Sequence, residues 1–203
     1  MKIEIASRKA VEYACINYHY SKTVPVYTVA HAVFNKKEFC GVILYGGGAS
    51  ANMGKPYNLN HGKYLELNRI ALNGKQEITS KALSLSLKII KAKHKTIELI
   101  ISYSDKGQNH YGTIYQATNW YFVNDIKSSG KDVFYKGKWV HDRVPNELPK
   151  IARDKLKTRV RAGKYKYLYP MNKKQRMMCE KLSKQYPKKK SVEIESNVSS
   201  NLD

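Results

Sequence analysis

Residues 97–123 constrain the fold more than any other stretch of the chain. Ile97-Glu98-Leu99-Ile100-Ile101-Ser102-Tyr103 is apolar and β-branched, the composition of a buried strand. It breaks into the polar run Ser104-Asp105-Lys106-Gly107-Gln108-Asn109-His110, and residues 111–119 then take the spacing of a short helix. A buried strand that runs through a polar loop into a helix sets side chains at the strand's carboxyl end. Ligands collect there in open α/β sheets. With an Asp, a His and several Tyr in this stretch, it is the first place to expect chemistry.

The flanking segments supply an α/β frame. Residues 2–6 suit a short strand, and Ser7 suits the N-cap of a helix over residues 8–17 with Ala10, Val11, Ala14 and Cys15 on one face. Residues 27–34 and 38–45 form an antiparallel hairpin about Asn35-Lys36-Lys37. Gly46-Gly47-Gly48 then opens a long loop, either a flexible exit or a phosphate cradle, although no Lys-Ser/Thr follows as in a P-loop. Residues 63–72 alternate, with Tyr64, Glu66, Asn68 and Ile70 on one face and Leu65, Leu67, Arg69 and Ala71 on the other. Charges in so apolar a strand need partners, which a structural ion pair or a site would provide. A helix follows from a Thr79 or Ser80 cap, and its first turn is a candidate anion site. Residues 132–135 and 138–140 flank Lys136-Gly137 as a hairpin, and Pro145 begins a helix of about ten residues.

Charge narrows the partners. Lys and Arg number 37 against 16 Asp and Glu, a formal net charge of +21. Such a balance draws a protein to polyanions, and DNA, RNA or an anionic membrane surface would all fit it. Residues 150–190 alone carry sixteen Lys or Arg against two acids, Asp154 and Glu180. Within them, cations and tyrosines interleave over residues 164–169, so Lys164 and Lys166 are candidate DNA contacts. The alternative is a basic surface whose tyrosines lie in the core. No stretch is long and apolar enough for a membrane span, and the start lacks a signal-peptide core, so the cytoplasm is the expected location. Cys15, Cys40 and Cys179 show no paired spacing and read as buried thiols. The organisation expected is a catalytic core over 1–144, a basic DNA-binding extension packed on it over 145–190, and a disordered polar tail over 191–203.

This layout, one mixed sheet flanked by helices, matches the acetyltransferase-like (GNAT) plan. Four stretches add a resemblance to the Mom family of bacteriophage DNA-modification proteins: Tyr18-His19-Tyr20-Ser21, Glu66-Leu67-Asn68-Arg69, Ser102-Tyr103-Ser104-Asp105 and the block His110-Tyr111-Gly112-Thr113-Ile114-Tyr115-Gln116-Ala117-Thr118-Asn119. Lys166-Tyr167-Leu168-Tyr169-Pro170 is similar to the family's closing segment. The resemblance implies a GNAT-related enzyme that places a carbamoylmethyl-type group on adenine N6 in duplex DNA, shielding phage DNA from host restriction. It implies His19, Tyr20, Arg69, Asp105 and Tyr115 as catalytic residues. It also implies acetyl-CoA or a similar acyl donor, and iron. Arg69 and Ser80 are the expected donor contacts, with His19, Tyr20 and Asp105 as the metal set. A homodimer is an open expectation. The glycine-rich pyrophosphate signature of acetyltransferases is missing after the Asn68-Arg69 strand. Asn73-Gly74-Lys75-Gln76-Glu77 stands there instead, which argues against an ordinary coenzyme A site.

The implied chemistry sets demands on a pocket. Adenine N6 is a poor nucleophile because its lone pair is delocalised, and the base must leave the duplex at a cost of about a few kcal/mol. Tyr20, Tyr103 and Tyr115 offer faces, while Asn68, Gln116 and Asn119 offer amides that can pair with N6 and N7. Asp105 can take the N6 proton, with His19 as the other candidate base. Glu66 and His110 complete the candidates. Each has a structural alternative. Asp105 or His110 could cap a helix, Tyr111 and Tyr115 could form one packed face, and Arg69 could neutralise Glu66. Acetyl transfer alone cannot yield a methylene-linked product, so another donor or a second step is required. Competing readings are a non-catalytic nucleic-acid-binding protein and an acetyltransferase for a protein or small molecule.

Overall fold

The computed structural model of the protein describes residues 1–128, 130–142 and 147–188. After β1 (Lys2–Ile5), Ser7 starts α1 (Arg8–Tyr18), its Oγ accepting from the Ala10 N–H at 3.2 Å. That bond satisfies one of the donors a helix start leaves free. β2 (Val29–Asn35) and β3 (Glu38–Gly46) form the expected hairpin, followed by β4 (Tyr64–Leu72), α2 (Thr79–Lys93) and β5 (Leu99–Asp105). The four-residue α3 (Thr113–Gln116) leads to β6 (Tyr121–Ile126). β7 (Lys131–Tyr135), β8 (Lys138–His141), α4 (Lys150–Asp154) and β9 (Thr158–Val160) come next, then β10 (Lys164–Pro170) and α5 (Lys173–Leu182).

Seven strands make one sheet in the order β1-β2-β3-β4-β5-β10-β6, and β8-β7-β9 make a second, small one. Within the large sheet β4 and β5 run parallel, and the other neighbours are antiparallel. α1 covers one face, packing Val11, Ala14 and Cys15 against Ala30, Val42, Leu44 and Ala71. α2 covers the opposite face with Ala82, Leu83, Leu87 and Ile90. α5 seals the α1 face further along, where Cys179 meets Leu99, Ile101 and Leu168. This is the mixed sheet flanked by helices that the sequence predicts, and all three cysteines are buried and free.

Four local expectations are corrected. Alternation along β4 is broken: Leu44 pairs with Arg69 and Tyr45 with Leu67, so Asn68 is the extra residue of a β-bulge. The bulge resets the parity. Leu65, Leu67, Ile70 and Leu72 all join the α2-side core, and Glu66 and Arg69 share the other face. α2 is capped by neither Thr79 nor Ser80; Ile78 holds the cap position, with no side-chain bond. The helix expected from Pro145 is only the five residues of α4, entered from Pro149, whose ring lacks an N–H and suits a helix start. Finally, β10 is an interior strand between β5 and β6, so Tyr167 is fully buried and Tyr165 and Tyr169 pack against the core. Its tyrosines hold the sheet together and are not a stacking surface. Residues 143–146, including Pro145 and Asn146, and the polar tail over 191–203 lie outside the described residues.

Gly112 caps the start of α3 at φ +74°, and a Cβ there would come within 2.4 Å of the Tyr167 ring. That ring is fixed, since its hydroxyl donates to the Tyr111 carbonyl at 2.6 Å. Gly112→Ala combines left-handed strain with a core clash. The expected loss is about 2 kcal/mol or more of stability, read as a lowered denaturation midpoint.

Candidate active site

The parallel ladder between β4 and β5 runs from Tyr64 opposite Leu99 to Leu67 opposite Ser102, and there it stops. Beyond that point the strands diverge. Ser102 Oγ donates to the Leu67 carbonyl at 2.7 Å, so a side chain closes the ladder where backbone pairing ends. A cavity of about 760 Å³ opens in the gap. Its walls come from the end of α1, the bulged part of β4, the start of α2, the end of β5 and the loop into α3.

Asp105 ends β5 and faces two ways. One carboxylate oxygen accepts from the Gly107 N–H at 2.8 Å, capping a short 3-10 turn over Lys106–Gln108. The other lies 3.3 Å from the Tyr20 hydroxyl, which donates to it. The cap and the site contact therefore coexist. Burial, then the neighbouring Asp105 charge, raises the Tyr20 pKa, so Tyr20 stays a phenol and a donor. The Tyr20 ring stacks obliquely on His19 at 4.3 Å and meets His110 edge-on at 6.2 Å.

His19 is held as a neutral imidazole. Its Nδ1 accepts from the Ser21 N–H at 3.1 Å, and burial, aided by the Arg69 charge, lowers its pKa from 6.5 to about 4. Nε2 then carries the proton. Arg69 donates through Nη1 to the Thr23 carbonyl, tying down the segment after α1. Glu66 accepts from the Ala49 N–H at 3.1 Å. Burial raises its pKa, and the Lys164 and Lys166 charges oppose that rise. Those lysines, and not Arg69, are the cations that offset it. Lys166 also sits 4.9 Å above Tyr57 and 5.7 Å above Tyr103.

The cavity gathers His19, Tyr20, Glu66, Asn68, Arg69, Tyr103, Asp105, His110, Tyr115 and Lys164 from the residues the sequence singles out. Tyr115 reaches it only as a buried wall. Its ring is wedged between Trp120 and Tyr167, with Oη 2.8 Å from Ser102 Oγ, and burial pushes its pKa up to about 12. Gln116 and Asn119 lie elsewhere: the Gln116 amide donates to the Tyr111 carbonyl, and Asn119 is an exposed turn residue at φ +59°. Ser80 gives way to Thr79, which lines the cavity at the first turn of α2. Tyr111 stacks on Tyr165, so Tyr111 and Tyr115 do not form one packed face.

Sequence reading misses Ser104. It is buried, lines the cavity, and its Oγ has no hydrogen-bond partner among the described residues. Asn68 Oδ1 and Arg69 Nε are also unpaired there. The only sequence signal for Ser104 is its place beside Asp105. No group of three His, Cys, Asp or Glu side chains that could hold a metal occurs among the described residues. His19 Nδ1 and one Asp105 oxygen already accept from backbone N–H groups, so the expected His19, Tyr20 and Asp105 set does not fit iron.

A strand gap beside the first turn of a helix, in a mixed sheet of this order, defines an acetyltransferase-type (GNAT) fold. Among solved structures, the chain is similar to a spermidine N-acetyltransferase from Vibrio cholerae (TM-score 0.54, 7% identity, 88% of this chain and 99% of that one). A Bacillus subtilis acetyltransferase in complex with CoA is also similar (TM-score 0.50, 13% identity, 83% and 97%). The Mom protein family model matches residues 1–188, and the chain belongs to that family. It is 28% identical to the methylcarbamoylase mom of Escherichia phage Mu, over 78% of this chain and 70% of the relative. No helix among the described residues is long and apolar enough to cross a membrane. The homodimer gains no support from these comparisons.

His31 is the second depressed histidine. It is buried, with Nδ1 2.8 Å from Ser86 Oγ, and burial lowers its pKa to about 4. Both histidines bind a proton in the unfolded chain below about 6.5 but not in the fold until about 4. Stability from this source is full above pH 6.5 and is lost as pH falls towards 4. Urea midpoints measured across that window are expected to fall with pH, and less steeply in His31→Gln.

Proposed function

We propose that the protein is a transferase that places a carbamoylmethyl-type group on N6 of adenine in duplex DNA, shielding phage DNA from restriction nucleases. The observation that carries this reading is the Tyr20–Asp105 pair, 3.3 Å apart, at the strand gap. It sits over a cavity lined by Asn68, Arg69 and Ser104, whose Oδ1, Nε and Oγ atoms have no partner among the described residues. Membership of the Mom family and the chain's charge of +21 support the substrate class.

An extruded adenine enters with its face on Tyr20 and Tyr103. The Asp105 carboxylate takes a proton from N6 as the nitrogen forms its bond to the donor carbon. That carbon releases its leaving group with the bonding pair, and the leaving group takes up a proton from water. Neutral His19 keeps the site free of a second positive charge beside Arg69. Arg69, whose Nε is unpaired, steadies negative charge that develops on the donor.

An activated donor on a coenzyme A-like arm suits the gap on two counts. Beyond Leu67 the bulged part of β4 has no strand partner on its β5 side, and the first turn of α2 is uncapped beside the cavity at Thr79. Asn68 and Thr79 would hold such an arm, and the arm would supply an activated carbon. The loop before α2 has one glycine, Gly74, in place of a glycine-rich cradle, so the anionic end is held differently from that of ordinary acetyltransferases.

Methylcarbamoyl, the group in the name of the Mu relative, is the isomer of carbamoylmethyl joined through carbonyl and not methylene. The two have the same mass. The test is expression with a reporter plasmid, enzymatic hydrolysis of its DNA, and chromatography with fragmentation or NMR of any new deoxyadenosine derivative. Folded protein with an unchanged nucleoside profile refutes the reading in favour of a non-catalytic DNA-binding protein. Asp105→Asn keeps an oxygen for Gly107 and removes the base. It is expected to cut product by about a hundredfold or more while DNA affinity persists.

A further inference from the structure

The segment between β6 and β10 has no role in the site described above. It leaves the large sheet after Ile126 and returns at Lys164, and Lys164 is opposite both Ile126 and Asp105. Residues 127–163 therefore grow from the end of the sheet where the strand gap opens. They carry eleven Lys or Arg against four Asp or Glu. Their strands form the small β8-β7-β9 sheet.

One face of that sheet is built as an aromatic platform. Phe134 and Trp139 are opposite residues of β7 and β8, with rings 5.4 Å apart in an edge-to-face pair. Arg159 of β9 lies 4.7 Å from the Trp139 ring and 3.4 Å from Asp132. Arg161 anchors the base of the sheet, donating to Asp132 at 2.9 Å and to the Lys131 carbonyl at 2.7 Å. Yet Phe134 is 40% and Trp139 37% exposed, although large aromatics gain most from burial. An exposed Trp–Phe pair with a stacked Arg, on a strongly basic segment, has the chemistry of a nucleobase-stacking surface.

We propose that the Phe134–Trp139–Arg159 platform binds the DNA beside the target nucleotide and stacks against a base that is uncovered when the adenine leaves the duplex. This rests on the DNA-modification reading and adds a second contact to it. Bases in an intact duplex already stack on one another, so an aromatic face gains a partner only where the stack is opened. Phosphates are drawn by the surrounding lysines, and the platform contributes where the helix is broken. Single-stranded RNA is the competing partner.

The chain's two tryptophans make the test direct. Trp120 is fully buried, so a change in emission on adding nucleic acid reports Trp139. The full chain is titrated at low ionic strength with a labelled adenine-containing duplex, the same duplex with one abasic gap, and single-stranded RNA. Fluorescence and anisotropy are read together. Expected are quenching that saturates with the anisotropy, deeper on the gapped duplex, and about tenfold weaker gapped-duplex binding by Trp139→Leu. Arg159→Gln, a surface change that spares the fold, is expected to weaken binding several-fold and to lower the salt slope by about one. Duplex binding with no change in Trp139 emission, and with Arg159→Gln at wild-type affinity, overturns the platform and leaves the DNA reading intact. No duplex binding at all defeats both, and quenching by RNA alone assigns the face to RNA and overturns the proposal.

Discussion

The end of the β4–β5 ladder is the constraint on which the rest of the site depends. A parallel pair would normally continue its bonds to the ends of both strands, because unpaired backbone groups inside a sheet are costly. Here the bulge at Asn68 takes β4 out of register, and the Ser102 hydroxyl occupies the Leu67 carbonyl. The same Ser102 oxygen meets the Tyr115 hydroxyl, which the Trp120 and Tyr167 rings hold in the core. The gap is thus fixed from below by packed aromatics. It does not depend on loop conformation.

The bulge also sorts the charges. Strict alternation would turn Arg69 into the α2-side core and leave Glu66 on the opposite face. One added residue places both on the α1 side, where Arg69 reaches the Thr23 carbonyl and Glu66 lies in the field of Lys164 and Lys166. The short segment after α1 is thereby tied to β4, and it carries His19 and Tyr20 to Asp105. A positive guanidinium nearby favours neutral His19, while the hydroxyl of Tyr20 gives Asp105 a donor that brings no charge. The Tyr20 hydroxyl, the Asp105 carboxylate and the Arg69 guanidinium come from three chain segments and still line one cavity.

Local physics explains what was legible in the sequence. The Ser7 cap, the apolar stripes of α1 and α2 and the β2–β3 hairpin are written in contiguous residues and stand where these put them. The helix expected over 111–119 shrinks to the four residues of α3, and the strand before it runs on to Asp105. The resembling motifs hold nine of the ten singled-out cavity residues, which no periodicity could bring together, and the cation–tyrosine interleaving adds Lys164. The failures share a non-local cause. Tyr167 is interior because β10 inserts between β5 and β6, opposite Ser102 and Phe122, residues far from it in the chain. Arg69 changes face through a bulge that alternation cannot register. Asn119 has an amide suited to adenine, but its backbone takes the left-handed turn out of α3. Ser104 is a small residue next to a louder neighbour, and only its burial without a partner marks it.

The unpaired atoms themselves argue for a ligand with both donor and acceptor groups. A buried polar group without a partner costs about 1–3 kcal/mol, and folded proteins seldom keep several together without use. Around this cavity Asn68 Oδ1 can only accept, Arg69 Nε can only donate, and Ser104 Oγ can do either. A simple anion would satisfy the arginine and the serine but leave the amide oxygen facing like charge. An apolar group would satisfy none of them. A purine edge, or the amides of a donor arm, presents hydrogens and lone pairs side by side, and so can satisfy all three. Among the described residues these three atoms therefore share one requirement, a partner that both donates and accepts hydrogen bonds.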